Sequence, residues 1–135
     1  MKHYWCTPPD LYARLSERYG PFDFDPCPYP RPGGFNGLAM PWGRMSYVNP
    51  PFRPQDGLDG KGPTAFVHKA IAEQAQGRGS VLVLPVQSYV MLLAQAGAEI
   101  QSLGRVKWLE VDSGEPMKGP SPICAFILRG LKETP

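Results

Sequence analysis

Paired cysteines, clustered histidines, long apolar runs and net charge are all in short supply in this chain, and each shortage removes a class of function. The three cysteines, Cys6, Cys27 and Cys124, are scattered. An odd set without C-x-x-C spacing makes neither a disulfide framework nor a zinc site, and a reducing cytosol is the simpler home. His3 and His68 stand alone, with no partner at ligand spacing, so no metal is expected. No apolar run approaches the roughly 18 residues of a membrane span. Met1-Lys2-His3-Tyr4-Trp5 leads into prolines and charges where a secretion signal would carry an apolar core. A cytoplasmic protein, neither exported nor anchored, is the expectation. Fourteen Lys and Arg against twelve Asp and Glu leave a formal charge of +2, which permits a nucleic acid partner without requiring one.

Chain breakers, by contrast, are abundant. With 17 Pro and 15 Gly among 135 residues, the chain is expected to form one loop-rich domain over 1–135, with short elements around a modest core. Thr7-Pro8-Pro9-Asp10 reads as a helix start with Thr7 as cap, and Leu11, Tyr12, Leu15 and Tyr19 recur at helical spacing as far as Gly20. Phe22-Asp23-Phe24-Asp25 alternates like a strand until Pro26, and residues 27–42 read as a long loop. A second strand over 46–49 is followed by a polar loop over 53–63. Residues 64–76 read as a helix capped by Thr64 and stopped by Gly77, and 80–85 as a central strand buried on both faces. A further helix over 88–96 precedes three strands at 99–103, 105–111 and 123–128. Strands alternating with helices predict a three-layer α/β sheet, mostly parallel, with an antiparallel C-terminal hairpin. In such sheets ligands bind beyond the carboxyl ends of the strands, where Asp25 and Asn49 both fall.

The stretch Asn49-Pro50-Pro51-Phe52 stops a strand with two prolines, neither of which can donate to a ladder. It offers a carboxamide oxygen, the carbonyl of Pro50 and a flat ring. Those groups suit a planar ligand bearing an amino group: two oxygens accept the amine hydrogens while the phenyl face stacks, a contact worth about 1–3 kcal/mol for a base. Adenine, cytosine and other conjugated amides all answer this description.

The tetrapeptide resembles the [D/N/S]-P-P-[Y/F/W] signature of S-adenosylmethionine-dependent amino-group methyltransferases. The chain as a whole resembles the phage-type DNA N-6-adenine methyltransferases. The features that agree in order are Trp5, Thr7 and Pro8; Phe22-Asp23-Phe24-Asp25-Pro26-Cys27; Asn36-Gly37-Leu38 and Trp42; Tyr47-Val48-Asn49-Pro50-Pro51-Phe52; Val83-Leu84-Pro85; Gly104-Arg105-Val106-Lys107-Trp108; and Pro120-Ser121-Pro122. The resemblance implies a compact Rossmann-like methyltransferase fold that transfers a methyl group from S-adenosylmethionine to the N6 amine of an adenine flipped out of double-stranded DNA. It implies a catalytic set of Asn49, Pro50, Pro51 and Phe52. It assigns Trp5, Thr7, Pro8, Asp25, Pro26, Cys27 and Asn36 to the cofactor, although Asn36 stands where the family has aspartate. No F-x-G-x-G loop follows the first strand. Arg53, Lys61, Arg105 and Lys107 are the candidates for a phosphate-binding rim, with the 112–121 loop beside them. A homodimer would extend the DNA footprint, and genome marking, regulation or restriction-modification are the roles such an enzyme serves, in the host cytoplasm if a phage or prophage encodes it.

Other functions share parts of this pattern. Methyltransferases of RNA bases and of protein glutamine amides also present N-P-P-[Y/F] to a planar amine. A cytosine-C5 enzyme would use a thiol such as Cys27 or Cys124 as nucleophile. A relative that keeps the fold and binds DNA without catalysis is the alternative of a different class.

Overall fold

The computed structural model describes residues 5–28, 33–50, 62–106, 108–110 and 121–131, with backbone alone at Trp5, Cys6, Glu110 and Ser121. In chain order the elements are β1 (Trp5–Cys6), α1 (Pro9–Tyr19), β2 (Met45–Val48), α2 (Pro63–Ala75), β3 (Gly79–Pro85), α3 (Val90–Gln95), β4 (Glu99–Val106), β5 (Leu109–Glu110) and β6 (Ser121–Leu128).

Helices α1 and α2 both start on a proline whose fixed φ suits the first turn, and neither uses a threonine cap. Pro8 and Gly62 occupy the cap positions that the sequence suggested for Thr7 and Thr64. Leu11, Leu15 and Tyr19 repeat every four residues and form the buried stripe of α1. Gly77 follows α2 with φ +85, the left-handed turn that glycine adopts most readily. Helix α3 is shorter than the 88–96 expected, because 88–89 form a turn before it.

The main sheet has the order β2-β3-β6-β4, and a separate two-stranded sheet pairs β1 with β5. β2 and β3 are parallel, whereas β6 is antiparallel to both β3 and β4. The sheet is therefore mixed, not mostly parallel. β2, β3 and β4 do share one direction, as their intervening helices require, but β6 inserts between β3 and β4. Its Ile123 and residues 125–128 are buried, so it belongs in the interior, while the largely exposed β4 takes the edge. The two strands expected at 99–103 and 105–111 are one strand, β4, followed by the short β5. Gly104, which falls between the two expected strands, has a φ of +70 that accommodates an irregularity between Ser102 and Gly104, and pairing resumes.

Residues 22–25 were expected to form a strand and make a single parallel bridge, Phe24 to Ser46, on the outer edge of β2. Asp23 limits the pairing because its carboxylate turns back to accept from the N–H groups of Arg44 and Met45, each at 3.0 Å.

Buried side chains fall into two clusters, one on each face of the sheet. Tyr47, Val81, Val83, Ala125 and Ile127 pack with α1 and with Trp108. Val48, Leu82, Leu84, Phe126 and Leu128 pack with Phe66, Val67 and Ala70 of α2 and with Tyr89 and Leu93 at α3. Residues 81–84 have no solvent exposure, as the uninterrupted apolar run predicts. Among the described residues no helix is long and apolar enough to cross a membrane.

Candidate active site

Strand direction creates the site. β2 runs out at Val48, leaving Asn49 and Pro50 buried just beyond its carboxyl end. The bridge from Phe24 to Ser46 aligns residues 23–25 parallel to β2, so Asp25 comes level with Tyr47, whose phenol feels its charge, toward the same end of the sheet as Asn49. Both residues thus lie toward the carboxyl end of β2, the end at which ligands bind in sheets of this kind.

Thr7 is brought to the same place from the N-terminus. The pairing of Trp5 with Glu110 and Cys6 with Leu109 holds the preceding residues, and α1 begins two residues later. The Thr7 hydroxyl, free of any capping duty, hydrogen-bonds the Tyr47 hydroxyl, and it accepts a bond from Asn49 Nδ2 at 3.3 Å. In that second bond the amide nitrogen faces Thr7, which puts the amide oxygen, a possible acceptor from an amine, on the other side of the carboxamide.

An aromatic trio floors this corner. The Tyr12 and Tyr47 rings meet edge to face at 4.9 Å between centroids, and Phe22 lies 5.5 Å from Tyr12 and 5.4 Å from Tyr47. Burial, outweighing the bond to Thr7, pushes the Tyr47 phenol well above its ordinary pKa, and the Asp25 charge adds to the effect. Tyr47 therefore stays protonated throughout the neutral range. Burial and Asp25 likewise raise Tyr12.

Asp25 has a surface-exposed edge, yet desolvation of its carboxyl raises the pKa from 3.8 to about 6. A bond from Cys27 N at 2.8 Å opposes the rise without cancelling it. No cation among the described residues lowers it. Burial and the nearby Asp25 push the Cys27 thiol well above its usual range, which makes it a poor nucleophile and argues against the cytosine-C5 alternative.

The segment carrying Asn36 is packed directly on the one carrying Asp25. A Cβ on Gly37 would lie 2.0 Å from the Pro26 carbonyl oxygen, so only glycine permits this approach. Trp42 Nε1 donates to Gly37 O at 2.7 Å, and the Trp42 backbone N–H donates to the Glu73 carboxylate on α2. Glu73 is buried and also receives Arg78 at 3.4 Å and Lys69 at 3.7 Å. Asn36 itself closes a turn, accepting from Leu38 N at 3.0 Å, and lines a shallow depression with Gly33, Gly34, Phe35, Ala39 and Met40.

The expected site residues therefore divide. Asn49, Pro50, Thr7, Asp25, Pro26 and Cys27 gather at one end of the sheet, with Pro8 adjoining Thr7 and Asn36 behind Pro26. Trp5 contributes backbone to β1. Arg105 is exposed near the carboxyl end of β4, at the same end of the sheet but three strands away, about 14 Å at the usual strand spacing. Pro51, Phe52, Arg53, Lys61 and Lys107 lie outside the described residues, as do the loops over 53–61 and 112–120. Tyr47, Tyr12 and Glu73 carry no site role in the reading of the sequence. Period two along β2 puts Tyr47 on the same side as Asn49, a signal that was available.

No model of a protein family matches the chain, and no solved structure matches it. The DNA N-6-adenine-methyltransferase of Escherichia phage T1 is 26% identical over 129 residues, covering 88% of this chain and 50% of the phage protein. The chain thus spans about half the length of that relative. Over most of its own length it is similar to a phage DNA N-6-adenine-methyltransferase, the family that its ordered motifs resemble.

Proposed function

We propose that the chain forms a single domain over 1–135 that methylates the N6 amine of adenine in double-stranded DNA, using S-adenosylmethionine, on a Rossmann-like sheet. The observation that carries this reading is the buried Asn49 beyond the end of β2, its amide nitrogen tied to Thr7, with the Asp25 carboxyl toward the same end of the sheet.

The residues suit that cofactor. A carboxyl raised to about 6 by desolvation, with no cationic partner among the described residues, gains most from a positively charged ligand. Asp25, Pro26 and Cys27, with Trp5, Thr7, Pro8 and Asn36, would hold S-adenosylmethionine, which supplies an electrophilic methyl carbon when bound. Asn49 Oδ1 and the Pro50 carbonyl accept the two N6 hydrogens of the target. That draws the nitrogen lone pair out of conjugation with the ring and stabilises the positive charge the amine acquires. Phe52 stacks the extruded base, while Arg53, Lys61, Arg105 and Lys107 take phosphates at the rim.

The test is to map methylated bases in DNA from cells expressing the chain and from cells expressing Asn49→Ala. N6-methyladenine in the first culture and none in the second is the expected result. Labelled methyl transfer to RNA or to protein, with none to duplex DNA, would replace the substrate. A folded protein that binds DNA and gives no heat with S-adenosylmethionine would be the non-catalytic relative instead.

A further inference from the structure

The carboxamide of asparagine can present either its oxygen or its nitrogen to a ligand, and the two ends differ little in size. An amine-binding site works with only one of them. The hydroxyls of Tyr47 and Thr7 stand where they can make that choice.

Thr7 Oγ1 lies between two partners, Tyr47 OH and Asn49 Nδ2. A hydroxyl has a single hydrogen. When that hydrogen goes to Tyr47, Thr7 can meet Asn49 only as an acceptor, and Asn49 must turn its nitrogen inward. Were it released from Tyr47, it could donate to Asn49 Oδ1, and the amide would turn over and present two N–H groups to the substrate amine. Either hydroxyl of the pair is able to donate; the relay proposed below has Thr7 donating, between groups that the rest of the corner holds in place. The Tyr47 ring is almost completely buried and is held by Tyr12 and Phe22 at centroid distances of 4.9 and 5.4 Å, so its hydroxyl has a fixed position. Thr7 is anchored on one side by the pairing of β1 with β5 and on the other by the start of α1. Buried relays of this kind specify a single arrangement when their members are satisfied.

The geometry points to Tyr47 and Thr7 as positioning residues that lock the Asn49 carboxamide with its oxygen toward the substrate. Tyr47 acts through Thr7 and needs no contact with substrate or cofactor. The catalytic consequence rests on the methyltransferase reading above; the locking of the amide does not.

The experiment uses Tyr47→Phe, Thr7→Val and Thr7→Ser, of which the first keeps the ring in the core and the second keeps the shape of Thr7. In the unliganded protein, nuclear magnetic resonance reads the side-chain amide of Asn49 directly. The wild type should give a resolved Nδ2 hydrogen pair with a contact to the Thr7 methyl. Tyr47→Phe should lose that contact, and Thr7→Val should shift the amide pair, while the backbone spectrum stays folded. In methyl transfer to duplex DNA, Tyr47→Phe and Thr7→Val should each lower kcat about tenfold, the scale of one lost hydrogen bond, with KM for the cofactor unchanged in Tyr47→Phe and the rate restored in Thr7→Ser. An Asn49 amide unmoved by Tyr47→Phe, or Thr7→Val and Thr7→Ser with equal kcat, would overturn the relay. A wild type that shows the amide contact, loses it in Tyr47→Phe and transfers no methyl group to DNA would uphold the relay and refute the methyltransferase reading.

Discussion

Replacing Asp25 by asparagine should make the protein more stable at neutral pH and less able to bind its cofactor. The carboxyl carries a pKa of about 6 against an ordinary 3.8, and the cause is desolvation in the folded state. Because the folded value lies above the unfolded one, the folded chain holds its proton more tightly. The associated stability is complete below pH 3.8 and is lost as pH rises through 6. A displacement of about two pH units corresponds to about 3 kcal/mol. Asp25 keeps an exposed edge, however, and solvent screening reduces the expected cost to about 1 kcal/mol. The asparagine keeps a side-chain oxygen for Cys27 N and never ionises, so Asp25→Asn should raise Tm by about 3 °C at pH 7 and leave it unchanged near pH 3.5. Thermal melts of both proteins at the two pH values measure this. Calorimetry with S-adenosylmethionine supplies the functional half: wild-type affinity should rise about tenfold from pH 5 to pH 7 as the carboxyl ionises, and Asp25→Asn should bind weakly with a flat profile. A variant destabilised equally at both pH values would refute the desolvation argument. A tightly binding Asp25→Asn would remove Asp25 from the cofactor site.

Three further substitutions probe separate parts of the site. Asn49→Ala should reduce methyl transfer at least 100-fold while cofactor affinity changes less than about threefold, measured by labelled transfer and calorimetry, because its partner is the target amine. Gly37→Ala would place a methyl group 2.0 Å from Pro26 O, so the two loops must separate; a loss of about 2 kcal/mol in denaturant unfolding and weaker cofactor binding are expected. Glu73→Ala leaves the Trp42 N–H without its acceptor and two cations without their carboxylate, and should cost about 2 kcal/mol in the same unfolding assay.

Local patterns and spatial arrangement contributed differently to what could be read in advance. The helices at residues 9–19 and 63–75, and the buried strand at 79–85, were legible because burial imposes a period on the residues themselves. The caps were not, since a proline at the first helical position makes a side-chain cap dispensable and leaves Thr7 for another partner. The direction of β4 followed from the helix before it. Its neighbour did not, because which strand a chain terminus inserts beside is decided by competition for the most buried place. The apolar run of β6 won it against the largely exposed β4.

The amino-acid sequence alone determined the chemical vocabulary of this protein: a strand stopped at Asn49-Pro50, a carboxylate before Pro26 and the ordered motifs by which it resembles phage adenine methyltransferases. Those are properties of residue type and spacing, which chain geometry translates locally. Only the tertiary structure decided that the Thr7 hydroxyl meets both Tyr47, 40 residues away, and the amide of Asn49, and that Glu73 fixes Trp42 behind Gly37 and Pro26. Each of those contacts depends on where separate strands and helices pack against one another. No periodicity records that, because a hydrogen bond between distant residues leaves no trace in the spacing of either.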